Sequence, residues 1–68
     1  MASAVAPDAP LLGAKIRKSF GAHGVFEGVV EELWTRGTYE YAHIRYEDGD
    51  EEDLFAADAR RLVVAPPA

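Results

Sequence analysis

Residues 25–47 read VFEGVVEELWTRGTYEYAHIRYE and decide the fold, because they contain two β-rich runs around one turn. Both runs are rich in valine, tyrosine and other β-branched or aromatic residues, as is typical of strands. Residues 35–37 fit a three-residue hairpin loop in which Gly37 takes the left-handed position. The stretch therefore predicts a β-hairpin of two long strands, Val25–Trp34 and Tyr39–Glu47.

Closing the chain at that loop predicts the register of the first hairpin. Phe26 is expected opposite Tyr46, and Gly28 opposite Ile44. One face of the hairpin then carries the side chains expected in the core, which are Phe26, Val30, Ala42, Ile44 and Tyr46. Glycine has no side chain, so Gly28 is expected to make room for Ile44 or to allow a sharp bend.

A second hairpin is expected to turn at Gly49. The register that keeps apolar residues on the buried face pairs Ile44 with Leu54 and Tyr46 with Glu52. A slip of one residue would place a carboxylate in the core, because it moves every side chain to the other face. The predicted register therefore leaves the Glu52 carboxylate directly beside Tyr46.

The remaining sequence completes a small all-β domain. Further strands are expected at Ala14–Phe20, Glu51–Leu54 and Arg61–Val64, with one helical turn at Phe55–Arg60. Alanine and proline dominate residues 1–10 and 65–68, which we expect to be a disordered tail and a frayed end around an ordered unit at 11–64. Five short strands with one short helical turn before the last strand predict a small barrel.

The length and composition argue against several classes of protein. A chain of 68 residues buries only about 60% of its unfolded surface, which leaves little room for a deep active-site cleft. It has no cysteine, so neither disulfides nor a thiolate zinc site can stabilise it. Its serines and histidines form neither a nucleophile–base–orienter set nor a matched set of metal ligands. We expect a binding module with no catalytic residue, metal or cofactor.

The charge balance indicates the kind of partner. Seven basic and twelve acidic residues give a net charge of −5, which favours cationic partners. Nucleic acid is not expected, because its binders neutralise phosphates, although a short basic strand with Lys15, Arg17 and Lys18 is an alternative phosphate contact. The longest apolar run is far shorter than the about 20 residues of a membrane helix. The first residues also lack the features of a signal peptide, so no membrane is expected.

Aromatic rings and carboxylates are expected to meet at the open end of the two hairpins. Phe26 and Tyr46 lie there, and Phe20 ends the first strand, just before a loop at residues 21–24. Six of the seven residues at 47–53 are acidic. Ring faces attract a desolvated cation by about 0.5–2 kcal/mol per well-placed ring, and a carboxylate adds charge attraction. Methylated lysine or arginine fits, because methylation keeps the charge while removing hydrogen-bond donors.

Three stretches of the sequence resemble a Tudor domain. They are residues 13–20 (GAKIRKSF), 24–30 (GVFEGVV) and 42–54 (AHIRYEDGDEEDL). The similarity is greatest to the Tudor-like modules of plant and algal chromatin proteins, which carry an aromatic-x-Gly-x-Val strand and a Tyr-Glu-Asp-Gly-Asp-x-Glu-x-Leu hairpin. The resemblance spans about residues 13–64. It implies a five-stranded SH3-like (Tudor) barrel in the nucleus, often a reader of methylated histone tails.

The resemblance also implies a site and a partner. The aromatic cage of the family falls on Phe20, Phe26 and Tyr46, with Asp48 or Glu52 as the acidic partner. Some Tudor readers have a fourth aromatic residue where this chain has Glu52, so a three-walled cage with two phenylalanines is expected to bind more weakly. The implied partner is a methylated histone-tail peptide or another basic methylated peptide. The chain is then expected to be a monomeric domain of a larger protein.

A different interpretation of the same aromatic residues remains open. Aromatic side chains are the largest contribution available to a small core, and the three cage rings fit that role as well. A structural docking module of the SH3-like class would not distinguish methylated from unmodified peptide. It would bind its partner through Trp34, Tyr39 and Tyr41 or through an exposed strand edge.

Overall fold

A computed structural model of the protein describes residues 10–67, so the parts of the predicted tails at 1–9 and 68 lie outside the described residues. The elements are β1 (Lys15–Ser19), a 3₁₀ turn (Gly21–His23), β2 (Val25–Arg36), β3 (Tyr39–Tyr46), β4 (Glu51–Phe55), α1 (Ala56–Leu62) and β5 (Val63–Ala65). The strands form one antiparallel sheet in the order β4-β3-β2-β1-β5. The predicted all-β, SH3-like fold with one short helix before the last strand is confirmed.

The first hairpin keeps its predicted faces but not its predicted partners. Residues 37–38 form a two-residue turn, and Gly37 has φ +62°, which suits the first central position of a type II′ turn. Past a bulge in β2, Gly28 pairs with Tyr46 instead of Ile44, so both predicted cross-strand pairs are wrong. Beyond the bulge, the observed register therefore differs from the predicted one by two residues. Because side chains alternate with a period of two, the core-facing set is unchanged.

The second hairpin is displaced by the same number of residues. Ile44 pairs with Glu52, two residues short of its predicted partner, so the predicted pairing of Tyr46 with Glu52 is also wrong. The loop consists of residues 47–50, and the Tyr46 N–H donates to the carbonyl of Asp50 at 2.8 Å. The Glu52 side chain nevertheless faces the barrel interior and reaches Tyr46, as described below.

The core is small and contains few large side chains. Its buried members are Leu11, Ala14, Ile16, Val30, Ala42, Ile44, Tyr46, Ala56 and Ala59. A Cβ atom added at Gly28 would lie 2.8 Å from Ile44 Cγ2 and 2.9 Å from Tyr46 Cδ1. Gly28 therefore makes room for two core side chains where the sequence predicted one. Within residues 10–67 no helix has both the length and the apolar character needed to cross a membrane.

An ion-pair network covers part of the outer face of β2, β3 and β4. Arg45 Nε lies 2.8 Å from Glu31 Oε2, and Arg45 Nη1 lies 3.4 Å from Glu51 Oε2. His43 lies between two carboxylates, with Nδ1 2.6 Å from Asp53 Oδ1 and Nε2 2.6 Å from Glu51 Oε1. These hydrogen bonds raise the pKa of His43 above its usual value, and the one to Asp53 contributes more than the one to Glu51.

Stability is expected to decline as the pH rises past the raised pKa of His43. The folded domain binds the His43 proton more tightly than the unfolded chain, in which histidine titrates near pH 6.5. The extra stability is therefore complete below about pH 6.5 and is lost as the pH rises through the folded-state pKa. Because His43 and its two carboxylate partners lie near the surface, we expect the free energy of unfolding to fall by about 0.5–1 kcal/mol. Urea unfolding at pH values below and above the folded-state pKa of His43 measures this fall.

A histidine variant isolates this contribution. In His43→Gln, most of the decline in stability with rising pH should be absent. His23→Gln, which changes the turn before β2, should show the full decline. A decline of equal size in wild type and His43→Gln would show that another group is responsible.

Candidate ligand-binding site

The three predicted cage residues lie together at one rim of the barrel. Phe20 follows β1, Phe26 lies on β2 and Tyr46 ends β3. The centroid of the Phe20 ring lies 5.8 Å from that of Phe26 and 5.2 Å from that of Tyr46. The ring planes are inclined by 64° and 84°, which is the edge-to-face arrangement that aromatic pairs prefer. Phe20 and Phe26 are half-buried and Tyr46 is buried, so the rings are fixed by the core beneath them.

These rings line an open depression of about 360 Å³. Its remaining wall is formed by His23 from the 3₁₀ turn and by Asp48 and Asp50 from the loop between β3 and β4. The volume lies at the low end for ligand sites and suits a single side-chain head group. Asp48 was a predicted acidic partner, whereas Asp50 was not, although it lies in the same acidic run. The depression therefore combines ring faces with two exposed carboxylates.

Glu52, the other predicted acidic partner, does not line the depression and is instead bonded to Tyr46 and Lys18. The Tyr46 hydroxyl donates a short hydrogen bond to Glu52 Oε2. Lys18 Nζ lies 2.9 Å from the same oxygen and 5.2 Å from the centroid of the Phe20 ring. Lys18 belongs to β1 and Glu52 to β4, which are not neighbours in the sheet. Their ion pair therefore joins two strands that are not paired in the sheet.

The protonation of this network is fixed at neutral pH. Burial alone would raise the pKa of Glu52, but the hydrogen bonds from Tyr46 and Lys18 outweigh it and hold that pKa below its usual value. Burial, together with the hydrogen bond to Glu52, raises the pKa of Tyr46 far above the neutral range. Glu52 is therefore charged and Tyr46 remains a hydroxyl donor, so the Tyr46 ring has one preferred position.

One group of side chains has the composition of a metal site. Ligand atoms of Glu31, His43 and Glu51 lie within 4.8 Å of one another on the outer face. Arg45 contacts both glutamates of this group, and His43 is hydrogen-bonded to Glu51. The positive charge between these carboxylates is therefore supplied by the chain itself. Their arrangement is explained as an ion-pair network.

A comparison with protein families decides the identity of the domain. The family model described as the PTM/DIR17-like Tudor domain matches residues 13–62. The chain belongs to this family. The predicted resemblance to a Tudor domain is confirmed, and the matched segment contains every residue that lines the depression. Neither the curated proteins nor the solved structures yielded a significant match.

Membership in the Tudor family indicates which kind of activity to test for. Tudor domains are generally non-catalytic modules that bind other proteins. In this Tudor domain the polar side chains that line the depression beside the three rings are those of Asp48, Asp50 and His23. Such a lining is suited to holding a cation by its rings and its charge.

Proposed function

We propose that this Tudor domain binds a methylated lysine, on a histone tail or another basic peptide, through Phe20, Phe26 and Tyr46. The observation that supports the proposal is the convergence of three aromatic rings around one open depression with the carboxylates of Asp48 and Asp50 on its wall. A methylated ammonium keeps its charge but holds water weakly, so ring faces compete well for it. The proposal includes a nuclear location, where histone tails are found.

The acidic partner of the guest is assigned to the loop between β3 and β4. Glu52 is already bonded to Tyr46 and Lys18, whereas Asp48 accepts one hydrogen bond, from the N–H of Asp50 at 3.0 Å, and has no further partner among residues 10–67. Both aspartates are exposed, so their attraction acts through water. Binding should therefore weaken as the salt concentration rises.

The affinity of such a site is modest. Two of its three rings are phenylalanine, and the depression is open to solvent. We expect a net binding free energy of about 5–6 kcal/mol, which corresponds to a dissociation constant of tens to hundreds of micromolar.

The direct test is an amide NMR titration of the labelled domain with a trimethyl-lysine histone-tail peptide and its unmethylated twin. We expect shifts around Phe20, Phe26 and Tyr46 and in the loop at residues 47–50, with the methylated peptide binding at least about fivefold more tightly. Equal shifts with both peptides would support a docking module that does not read methylation. No shift at millimolar peptide would assign the three rings to the core alone.

A further inference from the structure

A second group of aromatic residues lies outside the core. The outer aromatic row consists of Trp34, Tyr41, Phe55 and Tyr39. The centroids of Trp34 and Tyr41 are 5.7 Å apart with planes inclined by 19°, and those of Tyr41 and Phe55 are 5.3 Å apart with planes inclined by 28°. Tyr39 lies 5.6 Å from Phe55. The four rings therefore form one continuous surface across β2, β3 and β4.

This row contributes little to the packing of the barrel. None of its members belongs to the buried core or to the half-buried set packed against it, and Tyr39 and Phe55 are 60% and 47% exposed. Four of the seven aromatic residues of the chain are thus on the solvent side. Large exposed apolar patches on small soluble domains commonly mark interaction sites.

An open depression of about 450 Å³ adjoins the row and contains two carboxylates. Trp34, Tyr41 and Phe55 line it, together with Asp53 and Asp58. The two aspartate side chains are 56% and 51% exposed, and each has one partner in the described chain, His43 and Arg61 respectively. A carboxylate has about four acceptor positions, so each aspartate can accept further hydrogen bonds.

The surface next to the row is also acidic. Its four carboxylates belong to Glu31, Glu32, Glu51 and Asp53, and its two cations to Arg45 and His43. With Asp58, its partner Arg61 and Arg36 included, five carboxylates face four cations when His43 is protonated, so negative charge remains in slight excess. A partner that matches this surface therefore combines a flat apolar face with positive charge.

We propose that the depression beside the outer aromatic row binds an arginine side chain of a partner protein. A guanidinium is planar and weakly hydrated, so it packs against aromatic rings, and its five N–H donors can reach two carboxylates at once. A lysine ammonium has neither the flat shape nor the weak hydration. Arg36 lines the same depression, so the guest arginine is expected to contact Asp53 and Asp58 and to avoid the like charge of Arg36. This site requires no methylation and is independent of the function proposed above.

Trp34 provides a direct reporter, because it is the single tryptophan of the chain. The labelled domain is titrated with an unmethylated glycine–serine peptide carrying two arginines, and with the twin peptide that carries lysines instead. We expect the Trp34 indole N–H signal to shift and saturate with the arginine peptide, and the lysine twin to bind at least about threefold more weakly.

Variants separate this site from the first depression. Asp58→Asn removes one exposed carboxylate without touching a ring and should weaken arginine binding about threefold. Phe55→Ala should weaken it about threefold to tenfold. Phe26→Ala is the matched control, since it changes only the other depression, and arginine binding should be unaffected.

Three outcomes would overturn the proposal. One is equal binding of the arginine and lysine peptides, which would reflect unspecific charge attraction. Another is the absence of any indole shift at millimolar arginine peptide. The third is an indole shift that depends on protein concentration without peptide, which would show that a second copy of the chain covers the row.

Discussion

Replacing Gly28 with alanine is expected to destabilise the domain by about 2–4 kcal/mol. The added Cβ would lie 2.8 Å from Ile44 Cγ2, 2.9 Å from Tyr46 Cδ1 and 3.0 Å from the carbonyl oxygen of Arg45. None of these groups can move away freely. Ile44 is fully buried, Tyr46 is tied to Glu52, and the carbonyl belongs to the strand paired with Gly28. The methyl group therefore forces β2 and β3 apart at the centre of the sheet.

Urea unfolding of both proteins measures this effect. A core of this size leaves a stability of only about 3–5 kcal/mol, so Gly28→Ala should retain about 1 kcal/mol and a readily measurable unfolded population at room temperature. Val29→Ala is the matched control, because Val29 is the next residue of β2 and is 42% exposed on the other face. It should change the free energy of unfolding by less than about 1 kcal/mol. A Gly28→Ala domain of nearly wild-type stability would mean that β2 and β3 separate locally at little cost.

Replacing Phe26 with alanine is expected to weaken the binding of a trimethyl-lysine peptide at least tenfold, by about 1.4 kcal/mol or more. The change removes one of the three ring walls, with its cation attraction and its apolar contact with the methyl groups. Phe26 is half-buried and lies at the rim, so the cost in folding stability should be about 1–2 kcal/mol and the domain should remain folded.

The same NMR titration measures the loss, and the dispersion of the amide signals shows whether the variant is folded. Tyr39→Ala is a suitable control, since it removes an aromatic ring of the outer row and should leave methyl-lysine binding unchanged. Asp50→Asn tests the site without changing any ring and should weaken binding about twofold to fivefold, more at low salt. If folded Phe26→Ala bound the methylated peptide within twofold of wild type, the rings would not form the binding site.

The alternation of apolar residues predicted which face of each strand is buried but not which residues pair. The observed register differs from the predicted one by two residues in the second hairpin and, beyond the bulge in β2, in the first, so Val30, Ala42 and Ile44 face the core as predicted while their partners differ. Between the first turn and the bulge the difference is three residues. Alternation fixes a register only to an even number of residues, and the turns decide the rest. In the first hairpin Gly37 opens a two-residue turn, and a bulge in β2 then shifts the ladder by one residue.

The rings of the candidate site followed from the sequence because each is tied to a strand end or an inward-facing position. The roles of the acidic residues did not follow in the same way. Asp50 lines the depression, whereas Glu52 is bonded to Tyr46 and, across to β1, to Lys18. Phe55 was assigned to a helical turn, whereas it ends β4 and its ring joins the outer row. Which side chains become neighbours across two strands depends on the register, and the alternation of apolar residues did not determine the register.

The ion pair of Lys18 with Glu52 ties the binding site to the closure of the barrel. It joins residues 34 positions apart in the chain, on strands that are not paired with each other in the sheet. Phe20 lies two residues beyond Lys18, and Tyr46 holds Glu52, so the facing walls of the depression meet only when these strands come together. A ligand in the depression is expected to bind only the closed form of the barrel and so to stabilise it. The opening motions through which the buried amides of β1 exchange with water should then be slower.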